Sequence, residues 1–506
     1  MNQRILFIKT MANQLKSTEE LALDILNDPK YDDFPQYVDK TMIQDTFDEY
    51  GYKLNPFNSN IYANIINSPN IEGHYLAANL PEIDSLVINE TCSTNNIHKI
   101  LDKNDDITHI GVSAYAHGLD RVINLIDTLK KDYSDKILYV GNVGATFSHL
   151  QKLIEPQNIC LGNGVPWLRE KLGLPKFNRN DIIIPSIMHD TKQLPINMKT
   201  FYLVSQIGCP FNCDFCITSM LQYNPFSSAK RIIESLENAR KKINKDIFIQ
   251  ICEPNACFPE RVWKIVFDYF MNEGKSDKTM YIICLISLAH LQKFNLKKIQ
   301  SESSLKFFFV NYGIESTLTD RYKKNKGISD KFVQSLGNLG IITNHNFILG
   351  LPFHNKKNIK IEIQRNLEYS SCWYFISNLK PLPMTETYNQ LKKEGRIYGE
   401  DLPPELVYHE GYFPFDHPYL GGGFSALKYD FEAYYQTEEK IIDVYSAFVR
   451  ALENSPVLEN EKSMLKLIKV LKDLSKMNYT MFEPRMELFQ SEIFKTRINS
   501  FLSVKH

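Results

Sequence analysis

Three cysteines within one short loop limit what this chain can be more than any other feature. Residues 201 to 220 read FYLVSQIGCPFNCDFCITSM, where an apolar, β-rich run from Phe201 to Ile207 breaks at Gly208 into a loop carrying Cys209, Cys213 and Cys216. The spacing is C-x3-C-x2-C. Iron-sulfur clusters are held by cysteine thiolates from short loops, and a cubane normally takes four, so three closely spaced thiolates leave one iron open to a substrate or cofactor. Gly208 and Pro210 suit a tight turn, Asn212 tolerates unusual backbone angles, and Phe215 sets an aromatic ring beside the last thiolate. Zinc or free thiols are the alternatives, although zinc usually takes four ligands in paired C-x2-4-C spacings.

The loop resembles that of the radical S-adenosylmethionine (SAM) superfamily, whose C-x3-C-x-aromatic-C loop follows the first strand of a partial barrel. The resemblance implies a 4Fe-4S cluster on Cys209, Cys213 and Cys216. It also implies SAM, chelated to the open iron through its methionine amino and carboxylate groups and split reductively to a 5'-deoxyadenosyl radical.

At 506 residues the chain is too long for one ordinary domain, and a prior of roughly 150 residues per domain suggests about three. Lys+Arg (58) balance Asp+Glu (59), so charge points neither to nucleic acid nor to an anionic membrane. The apolar runs are shorter than a membrane span, and the N-terminus MNQRILFIKT has no long apolar core with a small-residue cleavage site, so no membrane partner and a cytoplasmic location are expected. Nine cysteines, three of them bunched, argue against a secreted disulfide framework. Cys92, Cys160, Cys284 and Cys372 read as buried small hydrophobes; Cys252 and Cys257 are too few for a second cluster.

Residues 1 to 175 alternate strands and helices: strands near 3–9, 85–88 and 137–140 are joined by helical spacings such as Val122, Ile123, Ile126 and Leu129. Such alternation implies a doubly wound, Rossmann-like parallel sheet, and these sheets bind ligands beyond the carboxyl ends of their strands. Those ends carry Ser113 and Tyr115, then Gly141, Asn142 and Gly144, then Gly162, Asn163 and Gly164. Lying ahead of the cysteine loop, this half resembles the cobalamin (B12)-binding domain at the front of one branch of radical SAM enzymes. The resemblance implies cobalamin contacts at Ser113, Gly141, Asn142, Gly144, Gly162 and Gly164; a vestigial, empty sheet is the alternative. Two departures stand out. No Asp-x-His-x-x-Gly occurs, so no histidine can be assigned below cobalt, and the branch's Gly-Gly is Gly141-Asn142 here. His117 reads as a turn residue.

Residues 176 to 200, with Pro185 and Pro195 and little periodicity, read as a connector. From 201 to 400, six strand-helix units, with strands near 201–207, 247–252, 279–286, 306–314, 345–351 and 374–380, predict a partial (β/α)6 barrel whose chemistry lies at the carboxyl ends of its strands. There the resemblance implies SAM contacts at Phe215, at Glu253, a carboxylate suited to an ammonium, and at Glu315 and Ser316 of the Gly-Ile-Glu-Ser segment. Gly350 would let backbone approach the adenosine, and Leu379 would flank the adenine in FISNLKPLPMTETY, where Met384-Thr385 or Glu386-Thr387 replaces the branch's Gly-Thr.

Residues 401 to 506 predict a helical C-terminal domain, with helices near 430–453, 460–476 and 483–500 behind an aromatic cluster from Tyr408 to Tyr419. The function expected is SAM cleavage for cobalamin-dependent methylation of an unactivated carbon. The alternatives are a cobalamin-independent radical rearrangement, cyclisation or oxidation, or a non-catalytic iron-sulfur or zinc scaffold. A small-molecule or peptide substrate and an electron donor such as flavodoxin or ferredoxin are the expected partners, with nucleic acid disfavoured by the balanced charge.

Overall fold

A computed structural model describes residues 3–10, 69–88, 94–178, 181–190, 199–221, 223–319, 321–322, 328–398, 402–408 and 412–424, with positions 23, 26–29, 40, 447, 450–451 and 454. The three helices expected after residue 430 lie outside this set, apart from those last few positions.

Five short strands, β1 (Arg4–Thr10), β2 (Asp84–Val87), β3 (His109–Ala114), β4 (Ile137–Gly141) and β5 (Ile159–Cys160), form one wholly parallel sheet in the order β2-β1-β3-β4-β5. Parallel strands need crossover connections, and these cover both faces. The helices Thr94–Lys103 and Leu119–Asp132 bury Ile97, Leu101, Val122, Ile126 and Leu129 against one face. On the other face Leu76 of the helix Ile71–Ala78 and Leu168 of the helix Gly164–Lys171 pack with Ile5, Phe7 and Tyr139. The order 2-1-3-4-5 is the flavodoxin-like one, in which a ligand crevice opens at the carboxyl edge where the winding reverses between β1 and β3.

The second sheet contains the six expected strands within a few residues of their anticipated bounds: β7 (Lys199–Leu203), β8 (Ile247–Ile251), β9 (Met280–Leu285), β10 (Leu305–Glu315), β11 (Ile342–Leu349) and β12 (Trp373–Asn378), all mutually parallel. A seventh, β6 (Ile187–Asp190), lies inside the stretch read as a connector and pairs antiparallel with the edge of β7. Ser228 caps the helix Ala229–Ile243, whose Ile232, Leu236 and Ala239 are buried, and the helix Glu260–Met271 buries Trp263, Val266, Phe267 and Phe270. These side chains meet the outer face of β7 to β10 in one core.

Beyond residue 400 the described segment is a β-hairpin, β13 (Tyr412–His417) with β14 (Gly421–Phe424), rather than a helix. The alternation Tyr412, Phe413, Phe415 and His417 before three glycines suits a strand and a tight return. Leu402, Leu406 and Tyr412 complete the core of the first sheet, while Phe413 and Phe415 enter the barrel. The segment thus ties the two sheets together. Among the described residues no helix is long and apolar enough to cross a membrane.

The turn after β4 crosses the end of β3 so closely that a Cβ on Gly144 would stand 2.8 Å from the carbonyl oxygen of Ala114. A backbone atom cannot yield as a side chain can. Gly144→Ala should therefore lower stability by about 1–3 kcal/mol, read as a fall in chemical-denaturation midpoint; an unchanged midpoint would show that the crossing relaxes freely.

Candidate active site

The carboxyl edges of the two sheets face one another across a cavity of about 410 Å³. From the first sheet come Ser113, Gly141, Asn142, Gly162 and Gly164; from the barrel come Gln206, Gly208, Thr218, Cys252 and Met384. All the expected cobalamin positions except Gly144 line it. Its apolar depth runs along the covered face of the first sheet past Phe7, Gly111 and Trp167. No histidine is among its lining residues.

Polar groups on the sheet side form a connected rim. Tyr115 donates to Glu72, and the Asn142 side-chain amide donates to Ser113 Oγ at 3.0 Å and reaches Glu72 Oε1 at 3.5 Å. Burial and the neighbouring Glu72 carboxylate push the Tyr115 phenol well above its ordinary value. Asn142 has φ 73°, ψ −177°, a region that glycine tolerates and other residues avoid. Its side chain compensates by accepting from Val143 N at 2.7 Å. Gly141 has room for a Cβ 3.5 Å from that of Cys160, Gly164 packs near Leu76, and a Cβ on Gly162 would meet nothing. Gly162 therefore leaves open space rather than making a contact. His117 lies away from the cavity, edge-on to Tyr408 with ring centroids 4.2 Å apart, and burial with the nearby Lys380 depresses its pKa to about 4.

On the barrel side the cysteine loop follows β7 directly. Gly208 turns it at φ 71°, and Cys216 N bonds Cys213 O at 3.0 Å. All three thiols are half-buried and unbridged, and the Cys216 sulfur lies 2.9 Å from the hydroxyl of Thr218, which lines the cavity. Among the described residues no three His, Cys, Asp or Glu side chains already converge closely enough to hold a metal ion. The loop offers thiol donors of the right chemistry without a preformed cage, as is usual when the ligands are gathered by the metal itself. Neighbouring units brace it: Asp214 pairs with Arg321 at 2.8 Å, its carbonyl accepts from Thr387 N at 3.0 Å, and Phe215 packs edge-on against Tyr322 at 5.3 Å.

Glu253 follows β8 and is 3% exposed. One carboxylate oxygen accepts from Ser205 N, and the other is buried with no hydrogen-bond partner among the described residues. Burial pushes its pKa up to about 7. Asn255 Nδ2 and Ser287 Oγ are also buried without a hydrogen-bond partner among the described residues, and Asn255 Oδ1 accepts from Ser287 N at 2.8 Å. Ser287 was missed in the sequence, because a serine after a strand signals only a helix cap.

Glu315 and Ser316 end β10. Glu315 sits at φ 65° with its carboxylate folded over Gly313. Ser316 turns away into a buried network, donating to Glu362. Glu362 also accepts from Thr317 N (2.6 Å) and faces His354 Nε2 (3.3 Å); His354 Nδ1 in turn accepts from Gly350 N and Leu351 N. Burial alone would raise the Glu362 pKa, but the hydrogen bonds from His354, Ser316 and Thr317 outweigh it and hold the carboxyl below its ordinary value. The network fixes the turn at Gly350 (φ 77°). Leu379 N bonds Leu349 O at 2.8 Å, so its backbone lies at the same rim. Met384, at φ 74°, keeps a glycine-like backbone, and Thr385 caps the next helix. Cys252 faces the cavity with its thiol raised well above the ordinary value by burial and by Glu253 and Glu72, whereas Cys257 is fully buried in the barrel core. The two diverge.

Together these features define a class of fold: a flavodoxin-ordered sheet whose carboxyl edge is closed by the mouth of a partial barrel bearing a three-cysteine loop. No family model matches the chain. Among solved structures it is similar to the radical S-adenosylmethionine methyltransferase TsrM from Kitasatospora setae with cobalamin and a [4Fe-4S] cluster bound, at 10% identity and TM-score 0.50 over 88% of this chain and 89% of that one. The same enzyme with tryptophan substrate and aza-SAM bound gives 11% identity and TM-score 0.49, over the same shares of 88% and 89%. Among curated proteins, the chain is 29% identical over 122 residues to the dual-specificity RNA methyltransferase RlmN of Wigglesworthia glossinidia brevipalpis. That match covers 24% of this chain, which spans about a quarter (27%) of that relative. The structural likeness is one of fold, and that fold is the one anticipated from the sequence: a doubly wound parallel sheet ahead of a partial (β/α)6 barrel.

The raised pKa of Glu253 fixes a direction. Its stabilising contribution is complete below pH 4.5, the ordinary value, and is lost as the pH rises through about 7, where the buried carboxyl must ionise. Glu253→Gln should remove that decline, making the variant more stable than the wild type at pH 8 by about 3 kcal/mol; equal pH profiles in urea unfolding would contradict the burial argument.

Proposed function

We propose that this chain is an iron-sulfur enzyme that cleaves SAM reductively and uses cobalamin to methylate an unactivated carbon. One observation carries the reading: a loop of three thiols between the cavity-lining Gly208 and Thr218, and a buried carboxylate between the cavity-lining Cys252 and Pro254, stand next to a cavity whose opposite wall is the glycine-rich edge of a doubly wound sheet.

Cys209, Cys213 and Cys216 would hold the cluster. Glu253 Oε2 would receive the ammonium of SAM, and Asn255 Nδ2 with Ser287 Oγ offer a donor and an adaptable hydroxyl for its carboxylate. Glu315 and the backbone at Gly350 and Leu379 would border the nucleoside, with Ser316 acting behind them to hold the rim in place. The cavity between Ser113, Asn142 and Gly162 on one side and Thr218 and Met384 on the other would take the corrinoid. When bound, these groups supply a 5'-deoxyadenosyl radical for hydrogen abstraction and a methyl group for transfer. The chain's own part is to exclude water and to align the substrate hydrogen. A flavodoxin- or ferredoxin-like donor would supply the electron, and a small molecule or a peptide would be the substrate.

The test is anaerobic reconstitution with iron and sulfide, followed by electron paramagnetic resonance of the reduced protein with and without SAM. The reading requires a cluster signal that shifts on adding SAM, disappears in Cys213→Ala, and loses its SAM response in Glu253→Gln. Wild-type protein that binds no cluster would overturn it.

A further inference from the structure

The inner face of the barrel carries asparagines that the cofactor reading does not use. Register places Leu285, Asn311 and Asn344 in one row across β9, β10 and β11, and Gly313, Asn346 and Phe375 in the next across β10, β11 and β12. The alternate residues of these strands, Cys284, Val310, Tyr312, His345 and Tyr374, are buried, so the two rows face the lumen. That lumen is open: Phe375 is 44% and Leu285 37% exposed.

Asn346 donates its side-chain amide to Asn311 Oδ1, which fixes its orientation. Its own Oδ1, and the Oδ1 of Asn344 one step below, are shielded from solvent and have no partner among the described residues. A buried acceptor left unmade is costly, and a pair of them beside exposed apolar surface is the pattern of a binding site with a few convergent polar groups. The rows themselves carry no charged side chain, and the Glu315 carboxylate beside them, folded over Gly313, adds a further acceptor rather than a cation.

We infer that these rows form a substrate subsite for a small, neutral, flat molecule that donates an N–H, a heteroaromatic ring or planar amide. Phe375 and Leu285 would cover its apolar surface, and Asn344 and Asn346 would accept its proton. An anionic substrate would gain nothing there. This deepens the proposed function by naming the substrate class, and it rests on that reading for the claim that bound molecules are transformed.

Titration calorimetry tests it, with indole as the probe and 1-methylindole as the match lacking the N–H. The wild type should bind indole about tenfold more tightly, the ratio expected of one hydrogen bond to a buried acceptor, and benzoate should not compete. Asn346→Leu, or Asn344→Leu if the first fails to fold, should bring the ratio to about one, whereas Phe375→Ala should weaken both probes alike. Equal binding of the two indoles by wild type, or a ratio that survives both leucine variants, would overturn the inference. The titration needs neither cluster nor SAM, so a failed reconstitution would sink the enzymatic reading and leave this result standing, and the reverse holds equally.

Discussion

Parallel strands leave their carboxyl ends without partners from the same sheet, because every connection must first loop away before it can return over a face. In this chain two such edges face each other. The first sheet contributes backbone turns with little side-chain bulk at Gly141 and Gly162, the barrel contributes the cysteine loop after β7, and the cavity is the space that neither edge fills. Every candidate group depends on that opposition. The segment from Leu402 to Phe415 holds it by placing side chains in the cores of both sheets.

Three strained residues lie at the same rim, while Asn244 at a helix C-cap and Cys257 in the barrel core also adopt positive φ. Asn142, Glu315 and Met384 all adopt positive φ without being glycine, a cost of order 1–3 kcal/mol each that persists only where the surroundings enforce it. Two of these positions, Asn142 and Met384, stand where the resemblance read from the sequence would put glycine. Asn142 offsets part of the cost through its bonds to Val143 and Ser113. Asn142 and Met384 both line the cavity, so residues bulkier than glycine now shape the space between the two edges.

The sequence made the fold legible where pattern and packing agree. The barrel strands announced themselves because each is an apolar run whose outer-face residues, such as Ile249, Ile282 and Val310, lie under helices of matching period. β6 was hidden because a four-residue edge strand among prolines carries almost no periodic signal. The hairpin at Tyr412–Phe424 read as an aromatic cluster, since alternation over six residues is short evidence for a strand. At the site, Glu253 could be singled out because a carboxylate directly follows an apolar strand, and the structure buries it. Ser316 is the opposite case: its hydroxyl was expected beside the ligand and instead locks Glu362 and the Gly350 turn, an assignment that depends on a helix 46 residues further along the chain. Long-range partners of that kind leave no local trace.

If one cavity, walled by both sheets, takes a corrinoid as proposed, side chains on either wall must be able to block it. Spectral titration of the purified protein with hydroxocobalamin, using Gly162→Trp from the sheet side and Thr218→Trp from the barrel side, addresses it directly. A Cβ on Gly162 meets no atom within 4 Å, so the indole would fill the cavity rather than disturb packing. The wild type should bind saturably, and both variants should lose that binding. Binding that survives Thr218→Trp would contradict a shared site, and a wild type that binds no corrinoid would leave the first sheet without the role assigned to it.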